Sequence, residues 1–211
     1  MNNILWNRAE QPVATLILAH GAGAPMDSTF METMAERLCR QGITVARFEF
    51  AYMAERRVTG KKRPPEKAEK LIPQWLDIIE HIKAESAGMP LFIGGKSMGG
   101  RMASLAAKEQ PEGIHGVICL GYPFYAIGKP EKPRTAHLLE YPLPVLMVQG
   151  ERDTMGDFET VMEYKLAPSI QIQWLPDGNH DLKPRKASGF DYEHHLNTTT
   201  RAIKNFINTE D

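Results

Sequence analysis

The segment Gly95-Lys96-Ser97-Met98-Gly99 fits the pattern G-x-S-x-G, which is typical of a nucleophilic serine on a sharp turn between a strand and a helix. Such a turn holds the serine in a strained conformation, so the residues two before and two after it must be small. Gly95 and Gly99 meet this requirement. The spacing therefore predicts that Ser97 is a catalytic nucleophile.

The same segment contains Gly-Lys-Ser, which is also the end of the phosphate-binding P-loop pattern. A P-loop would need a glycine at position 90, and Pro90 stands there instead. The apolar run Leu91 to Ile93 indicates a strand where the phosphate-binding loop would have to lie. Nucleotide binding through this segment is therefore not expected.

A serine nucleophile needs an imidazole to remove its proton and a carboxylate to orient that imidazole. Asp153 follows the apolar run Val145 to Gly150, and His180 follows the run Ile170 to Leu175. Both residues should therefore lie in turns at the carboxyl ends of strands. The chain order Ser, Asp, His is one of the known orders of such triads. We predict that Ser97, Asp153 and His180 are the catalytic residues.

Rival acids and histidines fit these roles less well. Glu151 lies too close to the strand end, and Asp157 precedes a predicted helix, where it is more simply a helix N-cap. Only His180 follows a late strand within a glycine-containing turn. The other histidines lack that position: His20, His81, His115, His137, His194 and His195.

Acyl transfer also requires hydrogen-bond donors for the oxyanion of the tetrahedral intermediate. The backbone N–H of Met98, at the start of the predicted helix, is one candidate. The small residues after the first core strand, in His20-Gly21-Ala22-Gly23, allow the backbone N–H of Ala22 to approach a substrate closely. His20 is interpreted as a structural residue, hydrogen-bonded beneath this loop.

Short apolar runs alternate with longer amphipathic segments, which predicts strands alternating with helices. The predicted strands are Val13 to His20, Ile43 to Phe50, Leu91 to Gly95, Val117 to Gly121, Val145 to Gly150 and Ile170 to Leu175. The predicted helices are Thr29 to Arg40, Glu66 to Ala87, Met98 to Glu109, Phe158 to Leu166 and Tyr192 to Ile207. The strand runs are almost continuously apolar, as expected of a parallel sheet that is covered on both faces.

This pattern predicts one α/β domain over residues 1–211. Its sheet should be mostly parallel, with about six strands, helices on both faces and no large cap domain. The ligand site of such a sheet lies at the carboxyl ends of its strands.

Two stretches interrupt the alternation. Residues 56–70 contain seven basic residues against two acidic ones, which indicates either a solvated loop or a surface that attracts an anionic substrate or partner. Residues 121–144 contain five prolines and several aromatics. Among these, Tyr122 and Phe124 are candidates for substrate binding, with plain core packing as the alternative.

Composition excludes several other classes of protein. The 211 residues include 25 Lys and Arg against 26 Asp and Glu, so the net charge of −1 predicts neither a nucleic-acid nor a membrane-surface partner. No apolar run approaches the ~18 residues that a membrane span needs. Oligomeric state cannot be read from these patterns.

The cysteines and histidines indicate no metal or other cofactor. Cys39 and Cys119 have no C-x-x-C spacing and are expected to be reduced thiols in a cytoplasmic protein. The adjacent residues His194 and His195 would face different sides of a helix and so could not chelate a metal together.

Four elements together resemble a compact α/β-hydrolase: the His-Gly-Ala-Gly turn, the segment from Gly95 to Arg101, the turn that carries Asp153, and the Gly-Asn-His turn that ends at His180. The chain is most similar to the branch of dienelactone-hydrolase-like and testis-expressed-protein-thirty-like proteins, from about Val13 to Ile207. The resemblance implies a serine hydrolase that acts on esters or thioesters. Ser97 stands where dienelactone hydrolases proper carry cysteine, and Ile4 to Trp6 is the only candidate remnant of the first strands of larger relatives.

We therefore expect a serine hydrolase that cleaves a small carboxylic ester or thioester through an acyl-enzyme intermediate. The alternative is a non-catalytic binding or scaffold protein of the same fold that uses the basic stretch 56–70. Lys96, beside the nucleophile, is expected to point away from the site and pair with a carboxylate. If it pointed inward instead, it would favour anionic substrates.

Overall fold

The computed structural model describes residues 4–86, 88–109 and 112–209. Within these ranges, a single sheet of seven strands runs in the order β1-β3-β2-β4-β5-β6-β7. The strands are β1 Ile4–Asn7, β2 Ala14–Ala19, β3 Ile43–Phe48, β4 Leu91–Lys96, β5 Gly116–Leu120, β6 Val145–Gly150 and β7 Ile170–Leu175. All neighbouring pairs are parallel except β1 and β3.

Each of the six predicted strands is confirmed, and the described part of the chain adds one more, β1. This edge strand pairs antiparallel with β3, with Ile4 opposite Phe48 and Asn7 opposite Val45. It coincides with the candidate remnant near Ile4. Its four residues are only partly buried. An edge strand of this kind does not need the long apolar run that marks the central strands, so the sequence signal is weak.

Helices cover both faces of the sheet, as the sequence predicted. Their bounds are α1 Thr29–Cys39, α2 Ala51–Thr59, α3 Ala68–Glu85, α4 Met98–Glu109, α5 Phe158–Met162 and α6 Tyr192–Thr209. One core lies between the sheet and helices α3 and α4, around Trp75 and Phe48. The other lies between the sheet and helices α1 and α6, around Met34 and Phe206. Within the described ranges, no helix has both the length and the apolar composition needed to cross a bilayer.

Helix α2 was not predicted, and it contains the first part of the basic stretch 56–70. It buries Tyr52 and Met53 and is followed by the capping residue Gly60, whose φ of 70° lies in the left-handed region. Because only two of its nine residues are buried, the segment has no strong helical period in the sequence. The stretch is therefore part helix and part loop.

Gly94, in the middle of β4, provides the first test of this packing. A Cβ atom at Gly94 would overlap the carbonyl oxygen of Ile118 on the neighbouring strand. Because the backbone of the neighbouring strand cannot move aside, we expect Gly94→Ala to lower the free energy of unfolding by about 3 kcal/mol or more. Gly23→Ala is the matched control, because nothing lies within 4 Å of a Cβ at that position. Urea unfolding of both variants checks this, and equal stabilities would contradict it.

Candidate active site

The turns after strands β4, β6 and β7 bring Ser97, Asp153 and His180 together at one edge of the sheet. Ser97 lies between β4 and α4, and its φ of 52° places a non-glycine residue in the left-handed region. Such backbone strain costs about 1–3 kcal/mol and persists only where the surrounding structure enforces it. Here the N–H of Ser97 donates to the carbonyl oxygen of Leu120 over 2.9 Å.

The two glycines of the G-x-S-x-G pattern are required by close backbone contacts. A Cβ atom at Gly95 would lie 2.6 Å from the carbonyl oxygen of Ala19, and one at Gly99 would lie 2.5 Å from that of His20. Both oxygens belong to the end of β2 and the residue that follows it. The small residues therefore let the serine turn pack directly against the neighbouring strand end.

A continuous chain of hydrogen bonds joins the three side chains. The distance from Ser97 Oγ to His180 Nε2 is 2.8 Å. His180 Nδ1 lies 2.8 Å and 3.0 Å from the two carboxylate oxygens of Asp153. Because an ionised carboxylate only accepts hydrogen bonds, this geometry suits the histidine tautomer with the proton on Nδ1, in which Nε2 can accept a proton from Ser97.

Asp153 is fully buried and is held by donors from the end of β6 and from its own turn. Its carboxylate accepts hydrogen bonds from Gln149 Nε2 over 2.9 Å and from the backbone N–H of Met155 over 2.8 Å. The two rival acids are occupied elsewhere: Glu151 accepts from the N–H of Asp177, and Asp157 caps helix α5. These contacts fix the carboxylate that faces His180.

The loop after β2 passes beside Ser97. A Cβ atom at Gly21 would lie 3.7 Å from the Cβ atom of Ser97, which shows how closely the two chain segments approach. The backbone N–H groups of Ala22 and Met98 make no backbone–backbone hydrogen bond with another described residue. Both residues line the same cavity as Ser97.

His20 lies beneath this loop, as expected of a structural histidine. Its Nδ1 atom is 2.7 Å from the carbonyl oxygen of Gly21, and its Nε2 atom accepts the N–H of Phe50 over 3.2 Å. Burial lowers the pKa of His20, which favours the neutral ring that this pair of hydrogen bonds requires. The imidazole thus connects the loop to the start of helix α2.

A cavity of about 880 Å³ opens over Ser97 and His180. Its walls come from the loop after β2, the segment Pro65–Leu71, the start of α4 and the turn after β7. A volume of this order matches the size of known small-molecule sites. The cavity can therefore accommodate a small organic molecule against the serine hydroxyl.

The two aromatic residues predicted to bind substrate lie elsewhere. Tyr122 and Phe124 are fully buried, and their rings pack edge to face with centroids 4.8 Å apart. The hydroxyl of Tyr122 donates to the carbonyl oxygen of Arg134. Pro123, between them, lines the cavity instead. The interpretation of these rings as substrate contacts is corrected, because both rings fill the core under the connection 121–144. Removing their large apolar area from water favours this position.

Lys96 was expected either to point away and pair with a carboxylate or to point into the site, and the structure shows features of both. Its side chain lines the cavity yet is only 11% exposed, and its Nζ atom is 3.8 Å from a carboxylate oxygen of Asp181. The ammonium group also donates a 2.6 Å hydrogen bond to the carbonyl oxygen of His180. Burial lowers the pKa of Lys96. The residue thus fixes the turn that carries His180.

Much of the basic stretch 56–70 is paired within the protein. Arg56 donates to the carbonyl oxygen of Gly23, and Arg57 pairs with both Glu49 and Asp27. Its guanidinium group lowers the pKa of Asp27. Because Gly23 and Asp27 flank the loop beside Ser97, these arginines brace the site. Arg63 and Lys70 also have carboxylate partners.

Three basic cavity residues were not identified from the sequence: Lys183, which follows the turn that carries His180, and two arginines. Arg101, one helical turn after Ser97, and Arg134, in the connection 121–144, both line the cavity. Arg101 stands within the segment that carries the family resemblance, so its spacing from Ser97 was an available signal. No sequence pattern indicated Arg134. Within the described ranges, no cluster of three or more His, Cys, Asp or Glu residues is placed to hold a metal ion.

Comparison with known families agrees with this architecture. Residues 12–208 match the family model described as an alpha/beta hydrolase domain. The chain therefore belongs to the alpha/beta hydrolase family, and the predicted α/β-hydrolase fold is confirmed.

Among curated proteins, the chain is similar to a protein named monoglyceride lipase homolog from Monkeypox virus. The two are 30% identical over 118 residues, which is 54% of this chain and 40% of the relative. The chain spans less than half the length of the curated monoglyceride lipases that it matches.

Solved structures share the fold over nearly the whole chain. Dienelactone hydrolase from Anabaena variabilis superposes with a TM-score of 0.74 at 18% identity, covering 99% of this chain and 90% of that one. Est1E from Butyrivibrio proteoclasticus, solved with ferulic acid bound, gives a TM-score of 0.72 at 18% identity over 99% and 95% of the two chains.

His137, next to helix α4, should make the free energy of unfolding depend on pH. Its ring lies 2.8 Å from the hydroxyl of Ser104, and burial with the nearby charges of Arg101 and Lys108 lowers its pKa to about 4. The unfolded chain binds this proton near pH 6.5 and the folded protein does not until about pH 4. The free energy of unfolding should therefore fall as the pH drops through that window, by about 1–2 kcal/mol after allowance for solvent screening.

We expect His137→Gln to remove this part of the pH dependence. The exposed His194 supplies the matched control, since His194→Gln should leave the pH dependence as in the wild type. Urea unfolding at pH 7.5 and pH 5 measures the difference. If the free energy of unfolding changes equally between the two pH values in wild type and in His137→Gln, the assignment to His137 is contradicted.

Proposed function

We propose that the protein is a serine hydrolase that cleaves a carboxylic ester or thioester through a Ser97–His180–Asp153 triad. The observation that carries this proposal is the unbroken chain of hydrogen bonds from the buried Asp153 carboxylate through His180 to Ser97 Oγ, which lies at the wall of an open cavity. Nucleophile, base and orienting acid are each within hydrogen-bond reach of the next, as covalent catalysis requires.

In the first half-reaction, Ser97 Oγ attacks the carbonyl carbon while His180 Nε2 takes the hydroxyl proton. Asp153 stabilises the imidazolium that forms. The carbonyl oxygen becomes an oxyanion, for which the N–H groups of Ala22 and Met98 are the proposed donors. The intermediate then collapses: the bond to the alcohol or thiol breaks, and His180 returns the proton to that leaving group.

In the second half-reaction, water attacks the acyl carbon of the ester on Ser97. His180 Nε2 accepts a proton from the water, and the second tetrahedral intermediate expels Ser97 Oγ. The same imidazolium then protonates the serine oxygen. The products are the carboxylic acid and the regenerated hydroxyl, and the reaction consumes one water for each ester cleaved.

The similar proteins support an ester as the bond that is cleaved. A curated relative is named a monoglyceride lipase homolog, and one structural neighbour is named a dienelactone hydrolase. The thioester alternative rests on the chemistry of the triad, which attacks either carbonyl. The paired arginines of the stretch 56–70 argue against a scaffold that uses this stretch as its main contact surface.

Labelling with a fluorophosphonate probe tests the nucleophile. We expect the wild-type protein to be labelled, and both Ser97→Ala and His180→Ala to lose the label, because the first lacks the nucleophile and the second its base. Ser28→Ala is the matched control, since this serine lines the same cavity without belonging to the triad, and it should label like wild type. A folded wild-type protein that stays unlabelled would contradict the proposal.

The orienting role is assigned to Asp153 and is tested by Asp153→Asn. The amide preserves the shape of the side chain but favours the wrong histidine tautomer, so the rate of labelling at pH 7 should fall by about a thousandfold or more. Asp157→Asn serves as the comparison, because asparagine caps a helix as well as aspartate does. A rate for Asp153→Asn within a few-fold of that for Asp157→Asn would overturn the assignment.

A further inference from the structure

The cavity over Ser97 has an excess of positive charge. Five basic side chains line it against two acidic ones: Lys67, Lys96, Arg101, Arg134 and Lys183 against Glu66 and Asp181. The acidic groups are already near cations, Glu66 at 3.5 Å from Lys70 and Asp181 at 3.8 Å from Lys96. The remaining positive charge therefore faces the space that a substrate would occupy.

Four cations of this wall have no carboxylate partner among the described residues: Arg101, Arg134, Lys67 and Lys183. The two arginines are set apart by their burial near Ser97. Among the described residues, neither guanidinium group takes part in a salt bridge. The Nε atom of Arg101 is buried and has no hydrogen-bond partner in the described chain. By contrast, Arg57 donates to the carboxylates of both Glu49 and Asp27. A buried donor without an acceptor is costly, so its persistence calls for an explanation.

The two arginines also repel each other. Burial lowers the pKa of Arg134, and the charge of Arg101 lowers it further. The same Arg101 charge contributes to lowering the pKa of His137. An anion between the guanidinium groups would satisfy their donors and offset this repulsion.

Both arginines are held in place by backbone contacts near the nucleophile. The N–H of Arg101 donates to the carbonyl oxygen of Ser97 over 3.1 Å, so its side chain leaves α4 one turn after the serine. The backbone of Arg134 donates to the carbonyl oxygen of Phe124 and accepts from the hydroxyl of Tyr122. The buried aromatic pair therefore anchors the chain that presents Arg134 to the cavity.

We propose that the substrate of this site is an ester that carries an anionic group, a carboxylate or a phosphate, and that Arg101 and Arg134 bind this group while Ser97 attacks the ester carbonyl. The planar fork of a guanidinium group matches both kinds of anion. This inference rests on the proposed serine hydrolase function and specifies its substrate class.

Two matched pairs of esters test the charge preference and locate the anion. The first pair is 4-nitrophenyl monoadipate and its neutral amide, 4-nitrophenyl adipamate, which differ in the charge of the acyl part. The second pair is butyryl glycerol 3-phosphate and butyrylglycerol, which differ in the charge of the alcohol part. We expect kcat/KM for the anionic member of one pair to exceed that of its neutral partner by about tenfold or more.

Substitutions of the two arginines assign the preference to them. Arg101→Gln and Arg134→Gln should each lower the anionic-to-neutral ratio of kcat/KM by about tenfold, mainly through a higher KM for the anionic ester. Arg63→Gln removes the same charge from an exposed residue that is paired with Glu55 outside the cavity, so it should keep the wild-type ratio. Thermal unfolding followed by circular dichroism verifies that each variant folds. If Arg101→Gln does not fold, the measurements on Arg134→Gln alone decide the test.

The outcomes separate this inference from the function on which it rests. If the probe labels Ser97 but both wild-type ratios are near one, or if Arg63→Gln lowers the ratio as much as Arg101→Gln does, the anion site is refuted and the hydrolase proposal stands. If the folded protein neither reacts with the probe nor cleaves any of the four esters, the hydrolase proposal fails. Calorimetric titration with adipate and glycerol 3-phosphate then tests the anion site by itself. Binding to the wild-type protein that is lost in Arg101→Gln supports the site, and the absence of binding to the wild-type protein overturns it.

Discussion

The close approach of backbone segments around the end of β4 is the constraint on which the rest of the site depends. Cβ atoms at Gly95 and Gly100 would each lie 2.6 Å from a carbonyl oxygen, that of Ala19 and that of Gly95 respectively. This leaves no space for side chains between β2, β4 and the start of α4. The turn that connects β4 to α4 must therefore be sharp, and Ser97 takes the left-handed conformation that lifts its hydroxyl out of the sheet. The packing of the surrounding strands supplies the free energy that keeps this conformation populated.

Polar contacts made by side chains then hold the flanking loops around the serine. Lys96 donates to the carbonyl oxygen of His180, and His20 joins the loop after β2 to the residue before α2. Arg57 ties the same loop to Glu49 through Asp27. Each contact links two segments distant in the chain, so the position of the reacting groups depends on the folded structure as a whole.

The basic residues near the site divide into two kinds with different consequences. Arg56 and Arg57 brace the loop beside Ser97, and the charge of Arg57 is neutralised by Glu49 and Asp27. Arg101 and Arg134 have no counter-charge in the described chain and face the cavity. A count of charges along the sequence gave most weight to the stretch 56–70, which contributes only Lys67 to the basic residues of the cavity wall. The other four stand elsewhere in the chain: Lys96, Arg101, Arg134 and Lys183. Charge density in sequence is therefore a poor guide to charge available for binding.

The amino-acid sequence alone determined those features whose signals are local. The six central strands are continuous apolar runs, and the turns with Ser97, Asp153 and His180 carry their own spacing rules, so each was identified within a few residues. Tertiary structure decided the features that depend on distant partners. The strand β1 exists because it pairs with β3, and Tyr122 and Phe124 are buried because the connection 121–144 folds over the core. The pairing of Arg57 and the lack of a partner at Arg101 likewise depend on which groups the fold brings near, and sequence distance carries no information about that.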